Sequence, residues 1–210
     1  MVILDCIVCN NLFVISVMAR PREFDVDTAL ERAMHAFWAK GFKATSLDDL
    51  CAATGLSRSS LYAAFGGKRA LLHQSLQRYE EHGIQRITVA LNRPMPIRAA
   101  LAGFIDELIE RIVSGSGRTG CLIGNCAAEL ARQDRATAVR VRRSLERIEA
   151  AFGSALSRAQ SRGEIAGSAD TGAMARFLVA SIQGLRLIGK ANPDRAALQD
   201  IKTVMLRCLD

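Results

Sequence analysis

Apolar residues recur every three or four positions along most of this chain, and that spacing predicts amphipathic helices. The first helix is predicted at 25–40, where Asp25 or Asp27 can cap its start and Gly41 ends it. Three more are predicted before residue 92: one from the hydroxyls at 45–46 to the glycine at 55, one at 58–65 and one opening at residue 68. The turns between them have three or four residues, a length typical of the helix-turn-helix arrangement.

Two prolines, Pro94 and Pro96, predict a break, because neither can lie inside a helix without loss of a backbone hydrogen bond. Beyond them the same periodicity predicts five further helices and no strand. Their expected ranges are 97–113, about 121–132, about 135–162, about 170–190 and about 194–209. We therefore predict an all-α fold of about nine helices.

Composition excludes several classes of protein. Half of the 210 residues are hydrophobic, so the chain can bury enough apolar surface to fold. The chain contains no run of about 18 apolar residues, so we predict no membrane-spanning helix. The six cysteines are scattered, and we expect free thiols in a reducing cytoplasm rather than a disulfide framework. The net charge of +7 is compatible with an acidic partner such as nucleic acid, but the basic excess is not concentrated in the helix-turn-helix, so charge alone identifies no partner.

The first seventeen residues are apolar and end abruptly at Met18. A secretory signal would need basic residues ahead of the apolar stretch, and here they follow it. We expect translation to start at Met18, and we assign 1–19 as an N-terminal extension ahead of the first domain; a membrane-touching or disordered tail is the alternative. Cys6 and Cys9 have the spacing of half a zinc or redox site, but no second pair completes it. We predict no metal site and no cofactor.

The span 45–72, TSLDDLCAATGLSRSSLYAAFGGKRALL, contains Gly-Leu-Ser-x-x-x-Leu-Tyr, then Phe, then x-x-Lys-x-Ala-Leu-Leu, and follows a helix that ends in Gly-Phe-x-x-Thr. These residues and spacings resemble the helix-turn-helix of TetR-family transcriptional regulators. The resemblance implies a DNA-binding domain at 20–72, followed at 73–210 by a larger helical domain for ligand binding and dimerisation. It also implies the partners: double-stranded DNA, a second copy of the chain, and an unidentified small-molecule inducer, with no membrane.

Several residues of this motif are candidate DNA contacts. Arg58 is the one long donor at the start of the third helix, and a guanidinium can bind guanine through two hydrogen bonds. The alternative for Arg58 is a solvated charge. The resemblance implies phosphate contacts from Thr45, Tyr62 and Lys68, although Tyr62 is also compatible with a half-buried core position. The serines at the start of this helix have short side chains, whose hydroxyls reach DNA only at close approach: Ser57, Ser59 and Ser60.

A second segment, 120–130, resembles part of a branch of the family that includes electrophile-responsive repressors. Cys121, Asn125 and Glu129 lie four residues apart, so they share one face of a helix, where they form a polar stripe that can bind a ligand. The helix N-terminus would favour a thiolate at Cys121. We take Phe104, Cys121 and Asn125 as candidate ligand contacts; the alternative is that the cysteines only pack and that Glu129 is solvated.

The helix at 171–191 combines large apolar residues with small ones, and small residues allow close approach of a second helix. The resemblance implies dimerisation through the last two helices, and a monomer core is the alternative. In such a dimer two recognition helices lie about 34 Å apart and contact two half-sites. The predicted dimer contacts are Phe177, Ser181, Gly184, Leu185 and Ile188.

The function that follows is sequence-specific regulation of transcription in the cytoplasm, by a repressor that a small-molecule or electrophilic inducer releases from a pseudo-palindromic operator. One alternative keeps the fold and replaces the small ligand with constitutive action or a protein partner. A remote alternative is an enzyme with Cys121 or Cys126 as nucleophile. It is disfavoured because no histidine occurs at 83–210 to act as its base, and we predict that the protein is not an enzyme.

Overall fold

The computed structural model describes residues 24–210, so the predicted extension at 1–19 and its Cys6–Cys9 pair lie outside the described residues. Within 24–210 the chain forms nine α-helices and no strand, which confirms the predicted all-α fold. The last predicted helix ends early, at Leu206, and a 3-10 turn follows it. The helices are α1 (Val26–Lys40), α2 (Leu47–Thr54), α3 (Arg58–Phe65), α4 (Lys68–Leu91), α5 (Ile97–Val113), α6 (Leu122–Leu130), α7 (Arg135–Ser161), α8 (Thr171–Ala191) and α9 (Arg195–Leu206).

Local sequence accounts for the ends of the first three helices. Asp25 caps α1, its carboxylate accepting the Asp27 amide at 3.0 Å. Ser46 and Asp49 form a reciprocal capping box at the start of α2, which satisfies two backbone donors that the helix leaves free. Ser57 caps α3 by accepting the Ser60 amide. A glycine with positive φ ends each of these helices, because a residue without a Cβ adopts this conformation without steric strain.

Two hydrophobic cores hold the helices together. The first unites α1 to α4 with α6 and also includes Val141 of α7. The second unites the end of α4 with α5, α7, α8 and α9. Helix α4 runs through both cores, and α6 packs on α7, α4 and α1. Helix α4 therefore connects the first three helices with the rest of the fold.

Candidate functional site

Helix α3 presents one face to solvent and buries the other. Leu61 and Phe65 anchor it in the first core. Because one helical turn separates these anchors, the opposite face is left open to solvent. Its exposed residues are Arg58, Ser59, Tyr62 and Ala63. This face has the position of a recognition helix in a helix-turn-helix, where the N-terminal side chains contact base edges.

The Arg58 guanidinium is held by Asp48 of α2. Its Nη2 donates to Oδ1 at 2.7 Å and to Oδ2 at 2.8 Å, and its Nε donates to Oδ1 at 3.1 Å. Both side chains are exposed, so the ion pair is screened by water and exchanges readily for another acceptor. Arg58 therefore lies on the exposed α3 face with its guanidinium in a bidentate ion pair. The sequence did not lead us to propose Asp48 as a partner of Arg58, although Asp48 lies in the first turn of α2.

The three serines around the start of α3 form a hydroxyl cluster. The Ser57 hydroxyl lies 2.9 Å from the hydroxyls of both Ser59 and Ser60. Ser57 and Ser59 are exposed, and Ser60 is half-buried. Their hydroxyls therefore stabilise the first turn of α3 and stay within reach of solvent.

Tyr62 and Lys68 lie next to the start of α4. Tyr62 is 52% exposed, so it is a surface residue rather than a core aromatic. It lies against Gly67, whose φ is +107°; a Cβ there would lie 3.0 Å from the ring. The Lys68 Nζ lies 4.3 Å from the centre of the Phe42 ring, a favourable cation–π arrangement. No side chain caps α4, so its first amides can bind an anion such as a phosphate.

Thr45 does not contribute its side chain to this surface, which corrects the predicted phosphate contact. The residue is fully buried, and its hydroxyl donates to the Gly41 carbonyl at 2.5 Å. The hydroxyl thus closes the turn between α1 and α2, while the neighbouring Ser46 occupies the cap position. The motif alone does not distinguish these two adjacent hydroxyls, because either can precede a helix.

An interior cavity of about 40 Å³ lies between the helices of the C-terminal part. A void of this size holds a few water molecules, so a larger ligand binds there only if the surrounding helices move apart. Its polar groups come from α4, from α8 and from the residue before α6, and its apolar groups come from α4, α5, α7 and α8. The lining residues are Tyr79, Gly83, Arg86, Ile87, Phe104, Cys121, Ile148, Phe152, Val179, Ile182, Gln183 and Arg186.

The buried Cys121 thiol faces this cavity at the N-terminal end of α6. Burial by itself raises the pKa of Cys121. The nearby Arg186 guanidinium, the Gly124 amide and hydrogen bonds from Gln183 and Tyr79 outweigh burial, and the pKa lies below that of an ordinary thiol. A lowered pKa favours the thiolate, which is the nucleophilic form.

The other cysteine of α6 lies in a different environment. Burial, and to a lesser degree the charge of Glu129, raise the pKa of Cys126 to about 12. Cys126 packs in the first core and does not line the cavity. The two thiols of this short helix therefore differ in chemistry.

The structure separates the three predicted ligand contacts. Phe104 and Cys121 line the cavity. Asn125 does not: its Nδ2 donates to the Thr119 carbonyl at 3.0 Å, and the residue lies at a surface hollow between α6 and α8. The sequence reasoning missed Tyr79, Gln183 and Arg186. Arg186 had a visible signal, since it is the one charged residue between Phe177 and Gly189 of α8.

Glu129 lies neither in the cavity nor free in solvent. Its carboxylate leaves α6 and accepts two backbone amides of the turn between α1 and α2, from Phe42 at 3.0 Å and from Lys43 at 2.7 Å. Gly41 allows this approach, because a Cβ there would lie 2.9 Å from Glu129 Oε2 and its φ is +81°. We call this contact the Glu129 clasp. It joins α6 to the turn that precedes α2.

Helix α8 exposes apolar side chains that the chain itself does not cover. Phe177 is 43% exposed and Ile188 46%, whereas Ser181 and Gly184 are half-buried. Leu185 is fully buried in the second core, which corrects its predicted place on a dimer face. Two residues that the prediction omitted are more exposed than Ile188: Leu187 of α8 and Val204 of α9.

Within residues 24–210 no helix is long and apolar enough to cross a membrane. The same residues contain no group of three or more histidine, cysteine or acidic side chains suited to a metal ion.

Both halves of the chain match known protein families. Residues 29–74 match the family described as bacterial regulatory proteins, tetR family, and residues 97–205 match the tetracyclin repressor-like C-terminal domain. The first match covers the helix-turn-helix and the start of α4. The second covers most of the remaining helices, including the cavity's walls from α5, α7 and α8.

Individual proteins are similar over nearly the whole chain. The uncharacterized HTH-type transcriptional regulator YezE of Bacillus subtilis is 33% identical over 92% of this chain and its own full length. The HTH-type transcriptional repressor ComR of Escherichia coli is 32% identical over 90% of each chain. Among solved structures, a cysteine mutant of the TetR family regulator CifR, in complex with 26-base-pair operator DNA, is 30% identical with a TM-score of 0.79. That match covers 91% of this chain and all of the CifR chain.

Proposed function

The chain belongs to the TetR family of DNA-binding transcriptional regulators, and we propose that it is a dimeric repressor that an inducer in the interior cavity releases from its operator. It is a regulator and not an enzyme. One observation supports the proposal: α4 lines the interior cavity and also packs on the helices that present the exposed α3 face, and Cys121, at the start of α6, lines the same cavity. Such a regulator acts in the cytoplasm, where a bacterial chromosome lies.

In the DNA complex, Arg58 exchanges Asp48 for a guanine edge in the major groove. The guanidinium makes bidentate bonds to Asp48 in the free protein, and guanine O6 and N7 offer acceptors of similar spacing. Tyr62, Lys68 and the free amides at the start of α4 bind phosphates and hold the register. The hydroxyls of the serine cluster assist at close approach.

The dimer forms through α8 and α9. Their exposed apolar side chains, Phe177, Leu187, Ile188 and Val204, would be shielded from water by the same surface of a second copy. A two-fold axis at this interface relates the two α3 helices, so the operator is a pseudo-palindrome with half-sites about one helical turn apart.

An electrophile is one kind of inducer that this cavity supports. A Cys121 thiolate can attack the β-carbon of an α,β-unsaturated carbonyl compound; a sulfur–carbon bond forms and the π pair moves to the carbonyl oxygen. The enolate then takes a proton from water at the α-carbon, so no oxidant or reductant is needed. Cys126, with a pKa raised to about 12, remains unmodified.

The inducer signal leaves the cavity by two routes. Helix α4 carries Tyr79 and Arg86 in the cavity and Lys68 at the DNA-facing end. Cys121 precedes α6, and the Glu129 clasp at the other end of α6 holds the turn before α2. A ligand shifts the equilibrium only if it binds the operator-incompetent conformation more tightly. Displacement of α4 and α6 would change the separation of the two α3 helices.

The experiment that tests DNA recognition is selection from a random duplex pool by the purified protein at fixed salt. We expect enrichment of a pseudo-palindrome, bound by two copies. Arg58→Ala should cost about 1–3 kcal/mol at one base pair of each half-site. Arg142→Ala is the matched control, since Arg142 is an exposed arginine of α7, outside both the α3 face and the proposed dimer interface. A folded dimer that enriches no sequence would contradict the proposal, as would an equal loss on all sequences for the proposed role of Arg58.

The inducer part is tested with the selected duplex. A Michael acceptor such as N-ethylmaleimide should release the wild-type protein from DNA and leave Cys121→Ser bound. Cys51→Ser is the control, because Cys51 lies half-buried in the helix-turn-helix and away from the cavity. Release that does not depend on Cys121 would remove the electrophile mechanism. If no small molecule affects binding, constitutive or partner-controlled action is the better interpretation.

A further inference from the structure

Three arginines near the start of α7 have no acidic partner. Arg135, Arg140 and Arg143 line a shallow surface hollow, together with His73 of α4. No ion pair within residues 24–210 includes any of the three. Two guanidinium nitrogens of Arg140, Nε and Nη2, are buried and have no hydrogen-bond partner in the same range. Such nitrogens are costly, so this surface favours a partner that supplies anionic oxygens.

The acidic groups on the same helix are already engaged. The Asp134 carboxylate accepts two amides at the start of α7 and pairs with Arg69 of α4, whose Nη1 lies 3.2 Å from Oδ2. Glu146 pairs with Arg142. Burial lowers the pKa of His73; Asp134 opposes this shift, and the nearby arginines add to it. The histidine is therefore neutral at physiological pH, and the arginines give the hollow its charge.

The hollow lies beside the end of α4 that carries a proposed phosphate contact. Arg69 directly follows Lys68, and its ion pair with Asp134 joins the first turn of α4 to the start of α7. About one turn further on, the His73 Nε2 lies 3.0 Å from the Thr137 hydroxyl. The two helices therefore begin side by side, and the arginines of α7 continue the basic surface that Lys68 starts.

The connection between α6 and α7 extends this surface toward the helix-turn-helix. The Glu129 clasp holds the end of α6 against the turn that contains the exposed Lys43. Arg132 follows three residues later and is exposed as well. We call the solvent-accessible arginines of this region the basic flank: Arg69, Arg132, Arg135, Arg140 and Arg143.

We propose that the basic flank binds the DNA backbone just outside each operator half-site, so that the C-terminal domain holds phosphates beyond those that the helix-turn-helix contacts. Duplex DNA carries a negative charge about every 1.7 Å along its axis, whatever its sequence. DNA that continues past a half-site therefore offers phosphates to this surface without any need for base recognition. The place of the operator on α3 rests on the proposed function, and the contact with flanking DNA goes beyond it.

The test compares two duplexes that carry the same selected operator. One ends at the outer base pair of each half-site, and the other continues for about one helical turn on both sides. We expect the long duplex to bind at least about tenfold more tightly at low salt. The double variant Arg135→Gln with Arg143→Gln should reduce this gain to about twofold or less and keep the wild-type affinity for the short duplex.

Arg158→Gln is the matched control, because Arg158 is an exposed arginine of the same helix, about 35 Å beyond Arg135. It removes an equal charge per substitution and should leave the gain from the flanks unchanged. Because the arginines of the double variant are both exposed, their replacement leaves the hydrophobic cores intact.

Salt dependence provides a second readout. Each phosphate that a protein neutralises adds about 0.9 to the slope of log affinity against log salt concentration. The double variant removes two arginines from each copy in the dimer, so the slope on the long duplex should become shallower by about 3 to 4. The control variant should keep the wild-type slope.

The outcomes separate this proposal from the proposed function. A long duplex that binds no more tightly than the short one, or a gain and a slope that the double variant retains, would overturn it. A protein that selects no operator would contradict the proposed function; the slope on a duplex of arbitrary sequence would then still test the basic flank. Arginine-dependent binding to phosphatidylglycerol vesicles, without any effect of flanking DNA, would overturn the proposal and assign the surface to lipid.

Discussion

Removal of the Glu129 clasp should destabilise the contact between α6 and the helix-turn-helix. Glu129→Ala deletes two hydrogen bonds to a carboxylate, one part-buried from the Phe42 amide and one exposed from the Lys43 amide. Hydrogen bonds to charged groups contribute about 1.5–3 kcal/mol where water is excluded, and exposed ones contribute less. We count about 1.5 kcal/mol for the first bond and about 0.5 for the second. The free energy of unfolding should therefore fall by about 2 kcal/mol.

The assay is urea denaturation at a fixed protein concentration, since dimerisation contributes to apparent stability. Trp38 is the only tryptophan of the chain, and its indole lies 5.0 Å from the Tyr79 ring and donates to the Gly120 carbonyl at 3.3 Å. Its fluorescence therefore reports on the packing of α1 against α4 and the start of α6. A second readout is release of DNA by an inducer, which should weaken when α6 no longer holds the turn before α2.

Glu146→Ala is the matched control, because Glu146 is an exposed glutamate of α7 with only a loose ion pair to Arg142, 3.7 Å away. Its loss should cost less than about 0.5 kcal/mol. Glu129→Gln adds a finer test. The glutamine side chain replaces one carboxylate oxygen with an NH2 group, which cannot accept from a backbone N–H, so one of the two hydrogen bonds is lost. The reasoning is refuted if Glu129→Ala and Glu146→Ala unfold at the same urea concentration with the same slope.

Three further predictions concern DNA affinity, thiol chemistry and assembly. Asp48→Asn should raise operator affinity by about threefold to tenfold, because it removes a carboxylate that competes for Arg58 and repels phosphate; fluorescence anisotropy at fixed salt measures this, and an unchanged or lower affinity would contradict it. Because the pKa of Cys121 is lowered, its thiolate should form, and react with iodoacetamide, at lower pH than an ordinary thiol, whereas Cys126 should react only toward its pKa of about 12. Peptide mass spectrometry across pH distinguishes the two, and identical profiles would argue against the effect of Arg186. Leu187→Glu places a charge on the exposed face of α8 and should yield a monomer with weakened operator binding; a dimer that persists in sedimentation experiments would exclude that face.

The local parts of this protein followed from its sequence. The positions of the nine helices within 24–210 and the cap at Asp25 depend on residues within one or two turns of each other, so periodicity and capping rules predict them. The resemblance of 45–72 to a known motif led to the family, which the comparisons confirmed. The place of Arg58 at the start of α3 also follows from local sequence, whereas its contact with DNA stays a prediction.

The tertiary structure decided the features that depend on partners distant in the chain. Thr45 is buried because its hydroxyl closes a turn, and Leu185 is in the core because α8 is packed on that side. Glu129 lies 86 positions from Lys43, whose amide it accepts, and Arg186 lies 107 positions from Tyr79. A periodic pattern shows that a polar residue shares a face with its neighbours along the helix, but only the packing of helices determines which distant group that face meets.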